Sequence, residues 1–216
     1  MDNAARAASR PQVTLLAVSK TQPASAVAAL AAQGQRAFGE NYVQEAAGKI
    51  AELESLGLAW HLIGHLQSNK ADQAAQLFDW VQTVDRPKLV AALARHRAPE
   101  RAPLNVLIQV NIDDEASKHG CTPEDVPALA AAIAAEPRLT LRGLMAIPAP
   151  HPQIERRREA FGRMRALFDA LAMQHPQVDT LSMGMSGDFA EAIADGATMV
   201  RVGTALFGSR DPAKPR

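Results

Sequence analysis

The sequence predicts a single closed (β/α)8 barrel, a TIM-type α/β fold, and three observations carry that expectation. Short β-branched or apolar runs alternate with longer alanine-rich amphipathic stretches from one end of the chain to the other. Such alternation is the pattern of parallel strands joined by crossover helices. The strand–helix unit recurs eight times, which suits a barrel better than an open doubly wound sheet. Finally, the strands tend to end in residues with chemistry: Lys20, Glu40 with Asn41, His65, Asp85, Asn111, Ser186 and Arg201. In a closed barrel those ends converge on one mouth, whereas an open sheet would string them along an edge.

In chain order, the apolar run Val13–Ser19 is the first strand, followed by an alanine-rich helix over Pro23–Gln33. A short strand at Arg36–Gly39 leads into helix Asn41–Leu56, and strand Trp60–Gly64 into helix Lys70–Phe78. Strand Trp80–Val84 precedes helix Pro87–His96, and the long apolar strand Leu104–Asn111 precedes helix Pro123–Ala135. Strand Leu139–Ile147 is followed by helix Pro152–Gln174, strand Thr180–Met183 by helix Gly187–Asp195, and strand Thr198–Val202 by a short apolar turn, Ala205–Gly208. Several of these helices open at proline, where the missing N–H costs nothing.

The chain has 216 residues, 47% of them hydrophobic, enough for one sizeable core and too few for two full domains. The organisation expected is a short N-terminal segment over 1–12, one barrel over 13–210 and a C-terminal tail over 211–216. Lys plus Arg and Asp plus Glu are both 23, so no charge excess points to nucleic acid or an acidic membrane surface. The one cysteine, Cys121, has no internal disulfide partner and reads as a small apolar or half-exposed side chain, which suits a reducing cytoplasm. No signal-peptide or membrane-spanning pattern is present, so a cytoplasmic monomer is expected.

The chemistry gathers at the two ends of the chain. After the seventh strand comes Met183-Gly184-Met185-Ser186-Gly187-Asp188, and after the eighth Arg201-Val202-Gly203-Thr204. Barrels frequently bind phosphate with these two loops and the start of a short extra helix. Small residues let a phosphate approach backbone N–H groups, while Ser186 and Thr204 add hydroxyl donors. Glycine and serine also simply cap helices, so the loops alone do not decide the matter. Lys20, at the end of the first strand, faces the same mouth. A phosphate cup and an amine around one cavity suit an aldehyde-bearing phosphate with the lysine as covalent anchor. Arg201 could lower the pKa of Lys20 by repulsion, or sit against a ring nitrogen of the ligand.

Seven segments in register carry a resemblance over nearly the whole chain. They are Leu15–Thr21, Phe38–Glu45, His61–Lys70, Gln109–Ile112 with Lys118–Gly120, Gly143–Pro148, Leu181–Asp188 and Arg201–Gly208. The chain resembles the YggS/PROSC family of pyridoxal 5′-phosphate (PLP) homeostasis proteins. That resemblance implies the barrel of the alanine racemase N-terminal domain, with PLP as cofactor and Lys20 as its Schiff-base lysine. It also implies phosphate contacts from Ser186, Gly203 and Thr204, Arg201 near the pyridine nitrogen, and Asn41 lining the cofactor pocket. Partners expected on the same ground are PLP, amino acids and PLP-accepting enzymes. This chain departs from the family at His65, where proline is common, and at Gln22, where a basic residue is. Only twelve residues precede Val13, so the family's extra N-terminal helix is expected to be absent or very short.

Three functions compete: a non-catalytic PLP carrier, a PLP-dependent amino-acid racemase-like enzyme, and a cofactor-free Schiff-base barrel enzyme acting on a sugar phosphate. A two-base racemase needs a second acid/base opposite the lysine. In the resembling racemases it is a tyrosine from another domain, whereas this chain has one tyrosine, Tyr42, and no second domain is expected. The sugar-phosphate reading does not explain the seven matching segments, so the carrier is preferred and no catalytic residue is assigned. No metal site is expected either. His61 and His65, about 13 Å apart along a strand, are too distant to share an ion and read as packing or mouth-lining residues. Trp60, Trp80 and Tyr42 read as packing residues, and Glu155–Glu159 as a solvated helix face with i,i+4 pairs.

Overall fold

Eight parallel strands pair in sequence order and close on themselves in the computed structural model, which describes residues 13–115, 118–149 and 151–208. They are β1 (Thr14–Val18), β2 (Ala37–Glu40), β3 (Ala59–Leu62), β4 (Trp80–Val84), β5 (Leu104–Val110), β6 (Leu139–Ala146), β7 (Thr180–Ser182) and β8 (Met199–Val202). β8 pairs with β1, aligning Leu16 with Arg201 and Ala17 with Val202, and this seam completes the expected barrel. Helices α1 (Ala24–Ala32), α2 (Val43–Glu52), α3 (Ala71–Leu77), α4 (Pro87–His96), α5 (Val126–Ala134), α6 (Ile154–Gln174) and α7 (Phe189–Ala194) lie between consecutive strands. A last short helix, α8 (Thr204–Phe207), follows β8. The segment 1–12 and the tail 211–216 lie outside the described residues, as does the expectation about an N-terminal helix.

Strand alternation sorts side chains into two cores. Leu16, Ile63 and Met199 form a small cluster of their own, against which Val18 and Ala37 pack. The neighbouring positions Ala17, Phe38, Leu62, Val200 and Val202 join the large cluster shared with helix residues such as Val27, Leu89, Phe161 and Ile193. Full burial of each such leucine, isoleucine or phenylalanine contributes about 1.5–3 kcal/mol. This is where most of the sequence's 47% hydrophobic content goes.

Several expected boundaries move, each for a local reason. The third strand ends at Leu62 rather than Gly64, and Gly64 packs against the chain just beyond the end of the preceding strand, β2. A Cβ on Gly64 would lie 2.1 Å from the Asn41 carbonyl oxygen, so only glycine permits that approach. The second helix begins at Val43 because Tyr42 is extended, with φ −126° and ψ 127°. Tyr42 is 62% exposed, which corrects its reading as a packing residue. Trp60 is buried against Phe38, and Trp80 stacks on His61. In the stretch Glu155–Glu159 of α6 the ion pairs found run to the next helix and its end, Arg157 to Glu191 and Arg158 to Asp195, while the i,i+4 pair of this helix lies further on, Arg165 with Asp169. Cys121 is buried, and burial raises its thiol pKa to about 12, so it is an inert filler. No helix among the described residues is long and apolar enough to cross a membrane.

Candidate functional site

Lys20 stands in a tight turn whose backbone is gripped on both sides. Gln22 N–H donates to the Ser19 carbonyl at 3.0 Å, which closes a four-residue turn around Lys20 and Thr21. Thr21 has φ 66°, a left-handed conformation that costs a β-branched residue about 1–3 kcal/mol and persists only where its surroundings enforce it. They do: Thr21 N–H donates to Glu45 Oε1 at 2.5 Å, and Ser19 N–H donates to the Gly39 carbonyl at 3.0 Å. Lys49, buried on α2, donates to the Ser19 carbonyl at 2.7 Å, to Glu40 Oε1 at 2.8 Å and to Glu45 Oε1 at 2.7 Å. Ser19 Oγ adds a bond to Glu40 Oε1 at 2.5 Å. One buried cation thus ties the end of β1, the end of β2 and the start of α2 together beneath Lys20. Burial raises the Glu40 carboxyl above the usual range, while bonds from Lys49 and Ser19 act against that. Its Oε2 has no hydrogen-bond partner among the described residues.

The seam between β8 and β1 brings the small-residue turn beside that lysine. A Cβ on Gly203 would lie 3.2 Å from the Val18 carbonyl oxygen, two residues before Lys20. A side chain there would need the Val18 backbone to give by a few tenths of an ångström, so the small residue serves chain packing as well as any ligand. The Gly203 carbonyl accepts from Leu206 and Phe207 N–H, so the amides of Thr204 and Ala205 form the donor end of α8. Thr204 itself is exposed. The neighbouring turn is anchored by Arg201 N–H to the Gly184 carbonyl at 3.0 Å. Met185 N–H to Asp188 Oδ1 at 2.6 Å folds that turn around the half-buried Ser186.

Arg201 lies within the barrel, 4% exposed, in a chain of polar side chains. Its Nη1 donates to Ser182 Oγ at 2.8 Å and its Nη2 to the Ala146 carbonyl at 2.8 Å. Ser182 Oγ donates to Gln82 Oε1 at 2.8 Å, and Gln82 Nε2 meets His61 Nδ1 at 2.9 Å. Burial lowers the His61 pKa to about 3, so the ring is neutral; accepting at Nδ1 places its proton on Nε2. Burial also pushes the Arg201 guanidinium down to about 10, with Asp188 opposing, and it remains a cation at neutral pH.

Asn41 lines a cavity of about 260 Å³ at the mouth, with Gly64, His65, Gln109, Asn111, Lys118, His119 and Ile147 among its other walls. Lys20, Ser186, Arg201, Gly203 and Thr204 are not among the walls of this cavity; they gather on the β1, β7 and β8 side. Gln109 Nε2 donates to the His119 carbonyl at 3.1 Å, while its buried Oε1 has no partner among the described residues and is available to a ligand donor. Glu40 was expected at the mouth as a strand-end residue, without a role, whereas Lys49, Glu45 and Gln82 were not singled out by sequence as parts of this site. Their only sequence signal was Glu45 four residues before Lys49, which reads as an ordinary helix-surface pair.

By its fold and by the position of its polar residues, the protein is a barrel of the alanine racemase N-terminal type, and the corresponding family model matches residues 1–211. The pyridoxal phosphate homeostasis protein of Escherichia coli (strain K12) is 53% identical over 206 residues, covering 94% of this chain and 88% of that protein. Its counterpart in Pseudomonas aeruginosa PAO1 is 54% identical over 214 residues, covering 98% and 92% respectively. The structure of PipY from Synechococcus elongatus PCC7942 with PLP bound matches with a TM-score of 0.83 and 40% identity, over 95% of this chain and 99% of PipY. The chain belongs to the pyridoxal phosphate homeostasis protein family.

Proposed function

We propose that this protein binds PLP and serves in its intracellular homeostasis, holding the cofactor as a Schiff base on Lys20. The observation that carries the assignment to Lys20 is the gripped turn: a lysine presented by a strained backbone, beside the donor end of α8, on adjacent strand ends. The residues present fit the group. Ser186, the glycine-lined turn at Gly203 and Thr204 would take the phosphate, Arg201 the region of the pyridine nitrogen, and Asn41 the pocket wall. PLP supplies an aldehyde that condenses reversibly with an amine. An arginine at the ring nitrogen keeps that nitrogen unprotonated, which weakens the electron sink needed for carbanion chemistry. The reading is therefore a cytoplasmic, monomeric carrier rather than a catalyst, exchanging its cofactor with amino acids and PLP-accepting enzymes. Borohydride reduction of the PLP-loaded protein, followed by peptide mass mapping, should place the pyridoxyl group on Lys20. A label found chiefly on Lys49, Lys70 or Lys118 overturns the assignment.

A further inference from the structure

Three side chains outside the Lys20 turn meet at the barrel mouth. His65 lies just beyond β3, Asp85 follows β4 directly, and His119 lies beyond β5. One ligand atom from each lies within 4.8 Å of the other two, and this is the one such histidine–carboxylate cluster among the described residues. The imidazole rings of His65 and His119 stack with centroids 3.6 Å apart and planes 13° from parallel. His61, which strand spacing already sets too far from His65 to share an ion, is buried and engaged with Gln82.

The cluster has support behind it. Arg86 Nη1 pairs with Asp85 Oδ1 at 2.5 Å, and Arg86 Nη2 donates to the Leu66 carbonyl at 2.9 Å, which orients the carboxylate from the side of the β3 loop. The His119 segment is pinned against β5 by Cys121 N–H to the Gln109 carbonyl and Asn111 N–H to the Cys121 carbonyl, both 2.9 Å. Gly120, with φ 125°, makes the close approach: a Cβ there would lie 2.6 Å from Asn111 N. Partners that hold ligand residues in place are a regular part of metal sites.

We propose that His65, Asp85 and His119 bind a divalent transition-metal ion of the zinc type, with three protein ligands and a fourth position open at the barrel mouth. Two imidazoles and a carboxylate suit zinc, whose sites with an open position have three protein ligands. Hard cations such as Mg²⁺ are disfavoured, because they take oxygen ligands and two of the three donors here are imidazole nitrogens. Zinc takes these donors at about 2.0–2.2 Å. A tetrahedron therefore brings them to roughly 3.4 Å from one another, closer than the 4.8 Å limit that bounds them here. Loading the ion also tilts the rings out of their stack, since parallel rings cannot both direct a lone pair at one atom. Both rings are at exposed positions with room to turn.

The test is a zinc titration of the full chain, freed of PLP, against a chromophoric chelator, with a parallel titration of the Lys20→Ala form. Equal zinc binding by the two separates this site from the cofactor reading, and failure of either leaves the other intact. One zinc per chain is expected, weakened at least about tenfold by His65→Ala, His119→Ala or Asp85→Asn, and lost in the His65→Ala/His119→Ala double variant. Circular dichroism should be unchanged in the histidine variants, because both histidines are exposed, and it serves as the folding control for Asp85→Asn, whose side chain is half-buried against Arg86. Zinc binding that survives the double variant, Mg²⁺ binding of equal strength, or no saturable binding at micromolar zinc overturns the proposal.

Discussion

Replacing Lys49 with alanine should cost about 3–5 kcal/mol at pH 8, because it strands a buried carboxylate. Lys49 Nζ lies 2.8 Å from Glu40 Oε1, and the two side chains are 8% and 0% exposed. At an effective dielectric of about 20 the attraction over that distance is roughly 6 kcal/mol, much of it offset in the native protein by the desolvation of both groups. Alanine removes the attraction and leaves Glu40 desolvated. The carboxyl then escapes by taking a proton, so its pKa, already raised by burial, rises further once Lys49 no longer opposes the shift. A carboxyl whose folded pKa exceeds its unfolded value contributes stability below the unfolded pKa and loses it as pH climbs through the folded one. The penalty is therefore full at pH 8 and shrinks as pH falls towards 4.5, the ordinary glutamate value. Urea unfolding of Lys49→Ala and Lys49→Met, followed by circular dichroism at pH 5 and pH 8, measures this directly. A loss of about 3 kcal/mol corresponds to about 6–12 °C in Tm for a domain of this size. Folded variant should also retain PLP less well, since the Ser19 carbonyl beneath Lys20 loses its buried donor. A loss below about 1 kcal/mol at pH 8, or an equal loss at both pH values, refutes the reasoning.

Three other perturbations separate the parts of the site. Ser186→Ala and Thr204→Ala should each weaken PLP binding by about 1.5–3 kcal/mol, tenfold or more, read by absorbance titration; unchanged affinity in the double variant removes their phosphate role. Gly203→Ala is a poorer probe of the phosphate, because its Cβ also presses on the Val18 carbonyl at 3.2 Å. Gly64→Ala should destabilise the barrel by about 1–3 kcal/mol, through the 2.1 Å clash with the Asn41 carbonyl; an unshifted thermal transition contradicts that packing argument. Solvent-deuterium exchange at the α-carbon of added amino acids should run no faster with the PLP-loaded protein than with free PLP. Typical enzymes turn over at about 1–1000 per second, so exchange far above the control and abolished by Lys20→Ala would revive the racemase-like reading.

The sequence alone determined the number and kind of elements, because strand and helix periodicity is written in consecutive residues. It also placed Lys20 and Arg201 at or near strand ends, and the small residues Ser186, Gly203 and Thr204 in the two last turns, since position after a strand is a local property. What it concealed depends on strands meeting. Lys49 reads locally as a surface partner for Glu45, and only the pairing of β1 with β2 brings Ser19 and Glu40 beside it and turns it into a buried clamp. Arg201 reads as a mouth residue, yet its bonds run to Ser182 and Ala146, 19 and 55 positions away. His65 read in sequence as a packing or mouth-lining residue with no histidine within reach, whereas the ring it stacks on belongs to His119, beyond β5. Strand pairing and the curvature of the barrel decide such neighbours: they set side by side strand ends that no local pattern relates, and burial then gives the charges among them their strength.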